Sequence, residues 1–397
     1  MLIAVRPDPS HPTGEAMCMK GKAAPEIVHS PHRLHYPLRR TRPKGDVDPG
    51  WVRISWEEAL TETAERLGAI KAESGAESIV FAVTTPSGTP LSDSIDWIER
   101  FVRVFGSPNI CYATEVCNWH KDFAHAFTFG SGLPPADYSQ ADLIVLWGHN
   151  PTNTWLAQAN AIGKGRARGA KMVVVDPRPT ALARQADVWL RVRPGTDAAL
   201  ALGLIHLMIS SGRFDEGFVR DWTNGPLLVR SDNGLFLREQ DLWPHAESNR
   251  FLAWSDERGC VVPYDTEQAA QPQLSEHFRL QGAVPVEAQG APGLVCHPAF
   301  GLLAEACALY GPQEVERITG VPEASLHAAA DLFGTLGRVA YHAWTGIGQH
   351  ANATQSERAV ATLYALGGSF DRFGGNRVRR GPPVNVSSLT WNVISSG

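Results

Sequence analysis

The chain has 397 residues, 43% hydrophobic and 19% charged, with a formal net charge of −5. That length exceeds one ordinary core and predicts two or more lobes, and the composition is that of a globular chain rather than a disordered or fibrous one. The charge leaves no nucleic-acid footprint, no run approaches the roughly 18 apolar residues of a membrane helix, and six scattered cysteines without a C-x-x-C pair exclude a disulfide-stapled scaffold.

Residues 1–53 are irregular, rich in Pro, His and Arg, and hold nine Lys/Arg against five Asp/Glu. They read either as a solvated basic arm or as a face turned toward phosphates or another anionic cofactor. Arg39-Arg40 is not followed by an apolar stretch, so it is not an export signal. The start, Met-Leu-Ile-Ala-Val-Arg before a Pro-rich turn, reads as a strand entered midway. The compartment is therefore left open: cytoplasm is favoured, and the periplasm stays open because an upstream segment is expected.

β/α alternation begins near residue 55. Ser55-Trp-Glu-Glu58 predicts a capping box, followed by a helix with Leu60, Ala64, Leu67 and Ile70 on one face. Ser78–Val83 predicts a buried strand, and residues 92–105 an amphipathic helix stopped by Gly106 and Pro108. Next comes Asn109–His120, which contains Cys111 and Cys117, and then an aromatic helical stretch to Phe129.

The centre of the chain is Asp142-Leu-Ile-Val-Leu-Trp-Gly-His-Asn-Pro151: an apolar strand, a stop at Gly148, a turn at Asn150-Pro151, and a helical pattern over 154–168. The unit recurs as Lys171–Arg178, and again as Arg193-Pro-Gly-Thr-Asp197 before a long apolar helix. Strand, ligand-ready loop and helix in repetition predict a parallel sheet that presents a nucleotide site at its carboxyl ends. Residues 226–295 read as a β-rich insertion. Helices resume near 298, Val339–Gly346 is a further strand entering a glycine-rich loop, and 354–366 is a helix.

On local grounds several residues suit an anionic ligand, each with a plainer alternative. Asp176 ends a strand, where a carboxylate accepts from a guanine or ribose edge, or serves as a turn residue before Pro177 and Arg178. Gly148 permits close backbone approach and Asn150 offers an amide, or the turn exists for its own sake. Gly195, Thr196 and Asp197 open a helix whose N–H groups favour anions, or form a simple cap.

In this order the pieces resemble the molybdopterin oxidoreductase family, which includes dimethyl sulfoxide reductase, periplasmic nitrate reductase and formate dehydrogenase. The resemblance rests on Cys18-Met-Lys-Gly21, Ile54–Ala59, Trp147-Gly-His-Asn-Pro151, Val175-Asp-Pro-Arg178, Arg193–Asp197, Gly346-Ile-Gly-Gln-His350 and Gly374-Gly-Asn376, and it covers nearly the whole chain. It implies an α/β, multi-domain fold: a remnant of an iron–sulfur segment at 1–53, an α/β lobe over 54–139 and 335–397 carrying the metal-ligand loop, and a Rossmann-like pterin-dinucleotide lobe at 140–334. It implies molybdenum or tungsten bis(molybdopterin guanine dinucleotide), with a 4Fe–4S cluster in the full-length protein. Trp147, Gly148, Asn150, Asp176, Pro177, Arg178, Gly195, Thr196, Asp197, Gly346, Gln349 and His350 become the cofactor-binding set.

By the same resemblance Cys117, 13 residues before Gly130, becomes the thiolate ligand of the metal, with Cys111 as runner-up. Cys18 stands as a cluster ligand, Lys20 as the bridge between cluster and pterin, and His120 and His125 as proton-handling groups near the metal. The implied function is that of the catalytic subunit in a two-electron oxidoreductase, which acts on a small-molecule substrate and passes electrons to a redox partner protein or iron–sulfur subunit. Asn118 after Cys117 departs from the histidine usual in formate dehydrogenases, which disfavours formate. Only Cys18 of the four cluster cysteines is present, and the family's final domain is missing, so both ends read as cut. The alternative is a structural or electron-transfer subunit that keeps the fold without the metal. A nicotinamide-dependent dehydrogenase is disfavoured, because no G-x-G-x-x-G follows a predicted strand.

Overall fold

The structure, a computed structural model, describes residues 1–11, 14–83, 95–112, 119–265, 277–288 and 291–378. The chain divides into two compact units, Met1–Trp119 and His120–Gly397.

In the first unit, α1 (Met19–Lys22) and α2 (Ala24–Val28) precede a hairpin of β1 (Leu38–Arg40) and β2 (Trp51–Arg53). Helix α3 (Trp56–Ser74) starts at the expected capping box: the Ser55 hydroxyl accepts from the Glu58 N–H at 3.1 Å, and the Glu58 carboxylate accepts from the Ser55 N–H at 2.8 Å. Strands β3 (Phe81–Val83) and β4 (Ile110–Tyr112) pair in parallel around α4 (Ile95–Phe105). Only Ile54, Val102 and Ser107 are buried among this unit's described residues. The apolar stripe read on α3 is therefore not a core face: none of its residues is buried. A stripe buries only where another element covers it, which periodicity alone does not supply.

Helix α5 spans Trp119–Phe129, and all of it after Trp119 belongs to the second unit. The heart of that unit, among the described residues, is a four-stranded parallel sheet in the order β13 (Val339–Ala343), β5 (Leu143–Trp147), β6 (Lys171–Val175), β7 (Val188–Leu190). The short α6 (Pro151–Thr154) and α7 (Leu156–Ala167) link β5 to β6, and α8 (Ala181–Gln185) links β6 to β7. Burial is divided by the period-2 alternation. Leu143, Val145, Trp147, Val173 and Val175 face a core built with α9 (Asp197–Ser210) and the carboxyl-terminal helices, while Ile144, Leu146, Met172 and Val174 face Ile162 of α7 and Leu182 of α8. A sheet covered on both faces is why β5 reads as an unbroken apolar run.

Val339–Ala343 joins the central sheet, because β13 pairs with β5 in register over its whole length, Val339 opposite Leu143 and Ala343 opposite Trp147. The Arg338 guanidinium forks onto the Asp142 carboxylate at 2.8 and 2.5 Å where both strands begin. The open edge of β13 is closed by side chains. Asn376, fully buried, accepts from the Tyr341 N–H and donates to the Tyr341 C=O, each at 2.9 Å, and Ser369 Oγ accepts from the Val339 N–H at 3.0 Å. An edge satisfied in this way offers no template for another strand. Asn376 thus caps the edge of β13.

Helix α10 (Glu216–Trp222) leads into antiparallel structure. β8 (Leu228–Arg230) pairs with β12 (Ala291–Pro298), which pairs with β11 (Val284–Ala288); the short α11 (Glu239–Leu242) lies between β8 and a separate hairpin of β9 (Leu252–Ser255) and β10 (Cys260–Pro263). These strands have their own small cores around Leu228, Val284 and Cys296, and around Ala253, Tyr264 and Phe278. Helices α12 (Ala299–Ala308), α13 (Pro312–Thr319) and α14 (Glu323–Thr335) return the chain to the sheet, and α15 (Thr345–Gly348) and α16 (Ala353–Leu366) follow β13. No helix among the described residues is long and apolar enough to cross a membrane.

Two glycines in α7 test this packing in opposite directions. A Cβ on Gly165 would lie 2.2 Å from the Tyr138 carbonyl oxygen, whereas one on exposed Gly163 would meet nothing within 4 Å. Gly163→Ala is expected to stabilise the chain by about 0.5–1 kcal/mol through helix propensity. Gly165→Ala is expected to destabilise it by about 1–3 kcal/mol through overpacking. Denaturant unfolding of both variants checks the two signs.

Candidate cofactor-binding site at the carboxyl edge of the parallel sheet

The strand order reverses between β5 and β13: the chain runs outward from β5 through β6 to β7, then returns to the other side of β5. At such a reversal the loops after two adjacent strands leave in opposite directions and open a crevice beyond their carboxyl ends. Here those loops are Gly148–Asn150 and Trp344–His350. They meet backbone to backbone: Gly346 donates its N–H to the Gly148 carbonyl at 3.2 Å, and Trp344 does so to the Trp147 carbonyl at 3.2 Å. A Cβ on Gly346 would lie 2.5 Å from the Gly148 Cα, and Gly148 has φ +58°. Glycine is required at both positions by this crossing.

The expected binding residues are brought to this one edge. Trp147, Gly148 and Asn150 follow β5; Asp176, Pro177 and Arg178 follow β6; Gly195, Thr196 and Asp197 follow β7; Gly346, Gln349 and His350 follow β13. Trp147 is fully buried and donates its indole N–H to Asp197 at 2.7 Å. Burial raises the Asp197 carboxyl above its ordinary range, and the Trp147 hydrogen bond opposes that rise. Asp176, also buried, accepts from the Arg178 N–H at 2.8 Å, an Asx-type turn that holds the carboxylate at the mouth of β6. Thr196 donates its hydroxyl to the Arg193 carbonyl at 2.7 Å and makes no side-chain cap on α9, so it does not occupy the first-turn N–H groups of that 14-residue helix. His350 hydrogen-bonds the Gly346 carbonyl at 3.1 Å, bracing the loop after β13. Pro177, Arg178, Gly195, Gly346 and Gln349 lie on the rim.

Beneath the rim lies a set of buried polar groups that the sequence reading largely passed over. His149 and His342 lie with ring centroids 4.5 Å apart and planes tilted by 47°, flanked by Trp344 and Trp155. His149 Nε2 meets Gln158 Oε1 at 2.8 Å, while His149 Nδ1 and His342 Nε2 have no partner among the described residues. Burial pushes His149 down to about 4 and holds His342 well below the usual imidazole range, so both rings are neutral at pH 7. His125, expected to handle protons, is wedged between the Tyr341 hydroxyl and the Lys121 carbonyl, and burial pushes it down to about 4. His120 joins Thr354 Oγ1 at 2.8 Å.

Glu357 is fully buried on α16, and neither carboxylate oxygen has a partner among the described residues. The sequence did carry a signal for it. Ala353, Glu357, Val360, Ala361 and Tyr364 fall on one helical face at spacings of three and four, so a carboxylate was placed on the core side.

The remaining expected residues lie elsewhere. Cys18 and Lys20 are exposed at the start of α1 in the first unit, where the Gly21 backbone N–H lowers the Cys18 thiol below its ordinary value. Cys117 lies outside the described residues, and Cys111 is exposed on β4. A mainly apolar cavity of about 750 Å³ is lined by Phe129, Phe218, Trp222, Phe300 and Phe370 among others, and does not include the carboxyl-edge residues.

The family model described as molybdopterin oxidoreductase matches residues 33–376. The dimethylsulfide dehydrogenase alpha chain of Rhodovulum sulfidophilum is 26% identical, over 94% of this chain and 40% of its own length. The perchlorate reductase alpha chain of Dechloromonas aromatica is 28% identical over 90% and 41%. The solved structure of acetylene hydratase from Pelobacter acetylenicus superposes with a TM-score of 0.61 at 26% identity, covering 89% of this chain and 38% of that one. The chain thus spans about two fifths of the length of these relatives. By the extent of the family match, the chain belongs to the molybdopterin oxidoreductase family.

Proposed function

We propose that this chain forms the dinucleotide-binding part of the catalytic subunit of a molybdenum- or tungsten-dependent oxidoreductase, and that the carboxyl edge of β13-β5-β6-β7 holds the guanosine end of a molybdopterin guanine dinucleotide. The observation that carries this reading is the convergence of four loops on one edge, at the reversal of strand order. The residues present suit such a group. Asp176 offers a carboxylate at a strand mouth, the Gly148–Gly346 crossing admits a ligand close to backbone, the first turn of α9 offers N–H groups, and two buried imidazoles have free nitrogens beneath the rim.

In this reading Asp176 accepts from the guanine or ribose edge, and Gly148, Asn150 and the α9 N-terminus receive phosphate. Gly346, Gln349 and His350 close the other wall. When bound, the metal and its pterins supply the two-electron chemistry; the protein fixes their orientation and excludes water. Cys117 is the metal's thiolate ligand, Cys18 a cluster ligand and Lys20 the bridge in the electron path to a redox partner. The alternative of a metal-free structural subunit is disfavoured by the retention of Cys117.

Two substitutions test the reading in the cofactor-loaded protein. Asp176→Ala removes a charged hydrogen-bond acceptor worth about 1.5–3 kcal/mol. It should weaken dinucleotide retention by at least about tenfold, read as guanine nucleotide released per chain on denaturation; unchanged release assigns Asp176 to the turn alone. Cys117→Ala should abolish turnover with pterin content largely intact, whereas retained activity moves the ligand to Cys111.

A further inference from the structure

We propose that Glu357 is a proton-binding residue behind the Gly346–His350 loop: it carries a proton at neutral pH, and that proton favours an anion at the loop. This inference rests on assigning that loop to an anionic ligand.

Glu357 is fully buried, and both of its carboxylate oxygens lack a hydrogen-bond partner among the described residues. An ionised carboxylate in that state forfeits its hydration with nothing in return, so the group binds a proton instead. One of its oxygens lies 3.9 Å from where a Cβ on Gly348 would sit, directly against the loop. Burial pushes its carboxyl up to about 8.

The surrounding charges set the balance. From α5, Lys121 favours ionised Glu357 and Asp122 opposes it; from α9, Asp197 opposes it. Tyr341 and His342 on β13, His125 on α5 and His350 ahead of α16 complete the titratable surroundings, and burial keeps Tyr341, His342 and His125 uncharged at neutral pH. Lys121 already pairs with Asp122 at 2.5 Å, so it is only partly available as a counter-ion. An anion at the loop adds negative charge beside Glu357 and favours its proton further, and by linkage the proton favours the anion.

The sign follows from the raised value. The protonated form is favoured by folding, so this contribution to stability is complete below the ordinary value of 4.5 and is lost as pH rises toward about 8. The buried histidines act in the opposite window, losing stability as pH falls below 6.5 toward 4. Between about pH 6.5 and 7.5 Glu357 by itself should raise the unfolding equilibrium constant by nearly tenfold, against the opposing titration of the three histidines, so its share is read as the difference between the original chain and a variant without it. Glu357→Gln, neutral and of the same shape, should remove that rise.

Infrared spectroscopy at neutral pH should show a protonated-carboxyl C=O band that Glu357→Gln deletes. GDP, used as the probe anion, should bind the original chain more weakly as pH rises past about 8, and the Gln variant without that loss. Equal unfolding slopes and no difference band between the two proteins would overturn the protonation of Glu357. GDP binding with the same pH dependence in both would overturn its link to the loop. No GDP binding at any pH would overturn the nucleotide reading of the loop, while the band and the slope still decide the proton.

Discussion

The constraint on which this structure depends is the pairing of β13 with β5 and the glycine crossing just beyond it. The two strands begin 196 residues apart in sequence, yet they run in register from the Arg338–Asp142 fork to the Gly148–Gly346 contact. Closing so long a loop is entropically unfavourable, and the cost is offset by burial on both faces of the sheet. Once β13 is docked, the reversal of strand order exists, and with it the crevice. Without it, the loops after β5, β6 and β7 would form only one wall. A side chain at either glycine would force the two loops apart and displace the residues on both sides of the candidate site.

The same edge concentrates polar groups that a stable core would exclude. Trp147 satisfies one oxygen of buried Asp197, and Asn376 satisfies the free edge of β13 at Tyr341. Others remain without partners among the described residues: His149 Nδ1, His342 Nε2 and both oxygens of Glu357. Each unpaired buried atom costs on the order of 1–3 kcal/mol. The ionisable groups respond by shedding charge, the imidazoles by losing a proton and Glu357 by keeping one. The result is a largely neutral floor beneath a rim of glycines and backbone N–H groups. Such a floor would impose little repulsion on an anion, and such a rim offers N–H donors to one.

Much of this was legible in the sequence, for identifiable reasons. β5 is an unbroken apolar run that ends at Gly148, and β6 is apolar from Met172 until it ends at Asp176, so strand and turn were specified locally. The capping box at Ser55–Glu58 was likewise a four-residue signal. The place of β13 was not legible, because a parallel partner 196 residues away leaves no local mark. Nor was the exposure of α3, whose apolar stripe has the right period but no cover in its own unit. The edge-capping role of Asn376 was not legible either, because it depends on where β13 docks. His149 and His342 stood in the strands and turns already noted, but their pairing depends on the same β13–β5 register.

The central claim is that the carboxyl edge of the parallel sheet binds a guanine dinucleotide. Hydrogen–deuterium exchange of the chain with and without GDP addresses it most directly. The account requires slower exchange at 148–150, 176–178, 195–197 and 346–350 together, with the antiparallel strands of 228–298 unchanged. Protection confined to those antiparallel strands, or none at the four loops under saturating GDP, would contradict it.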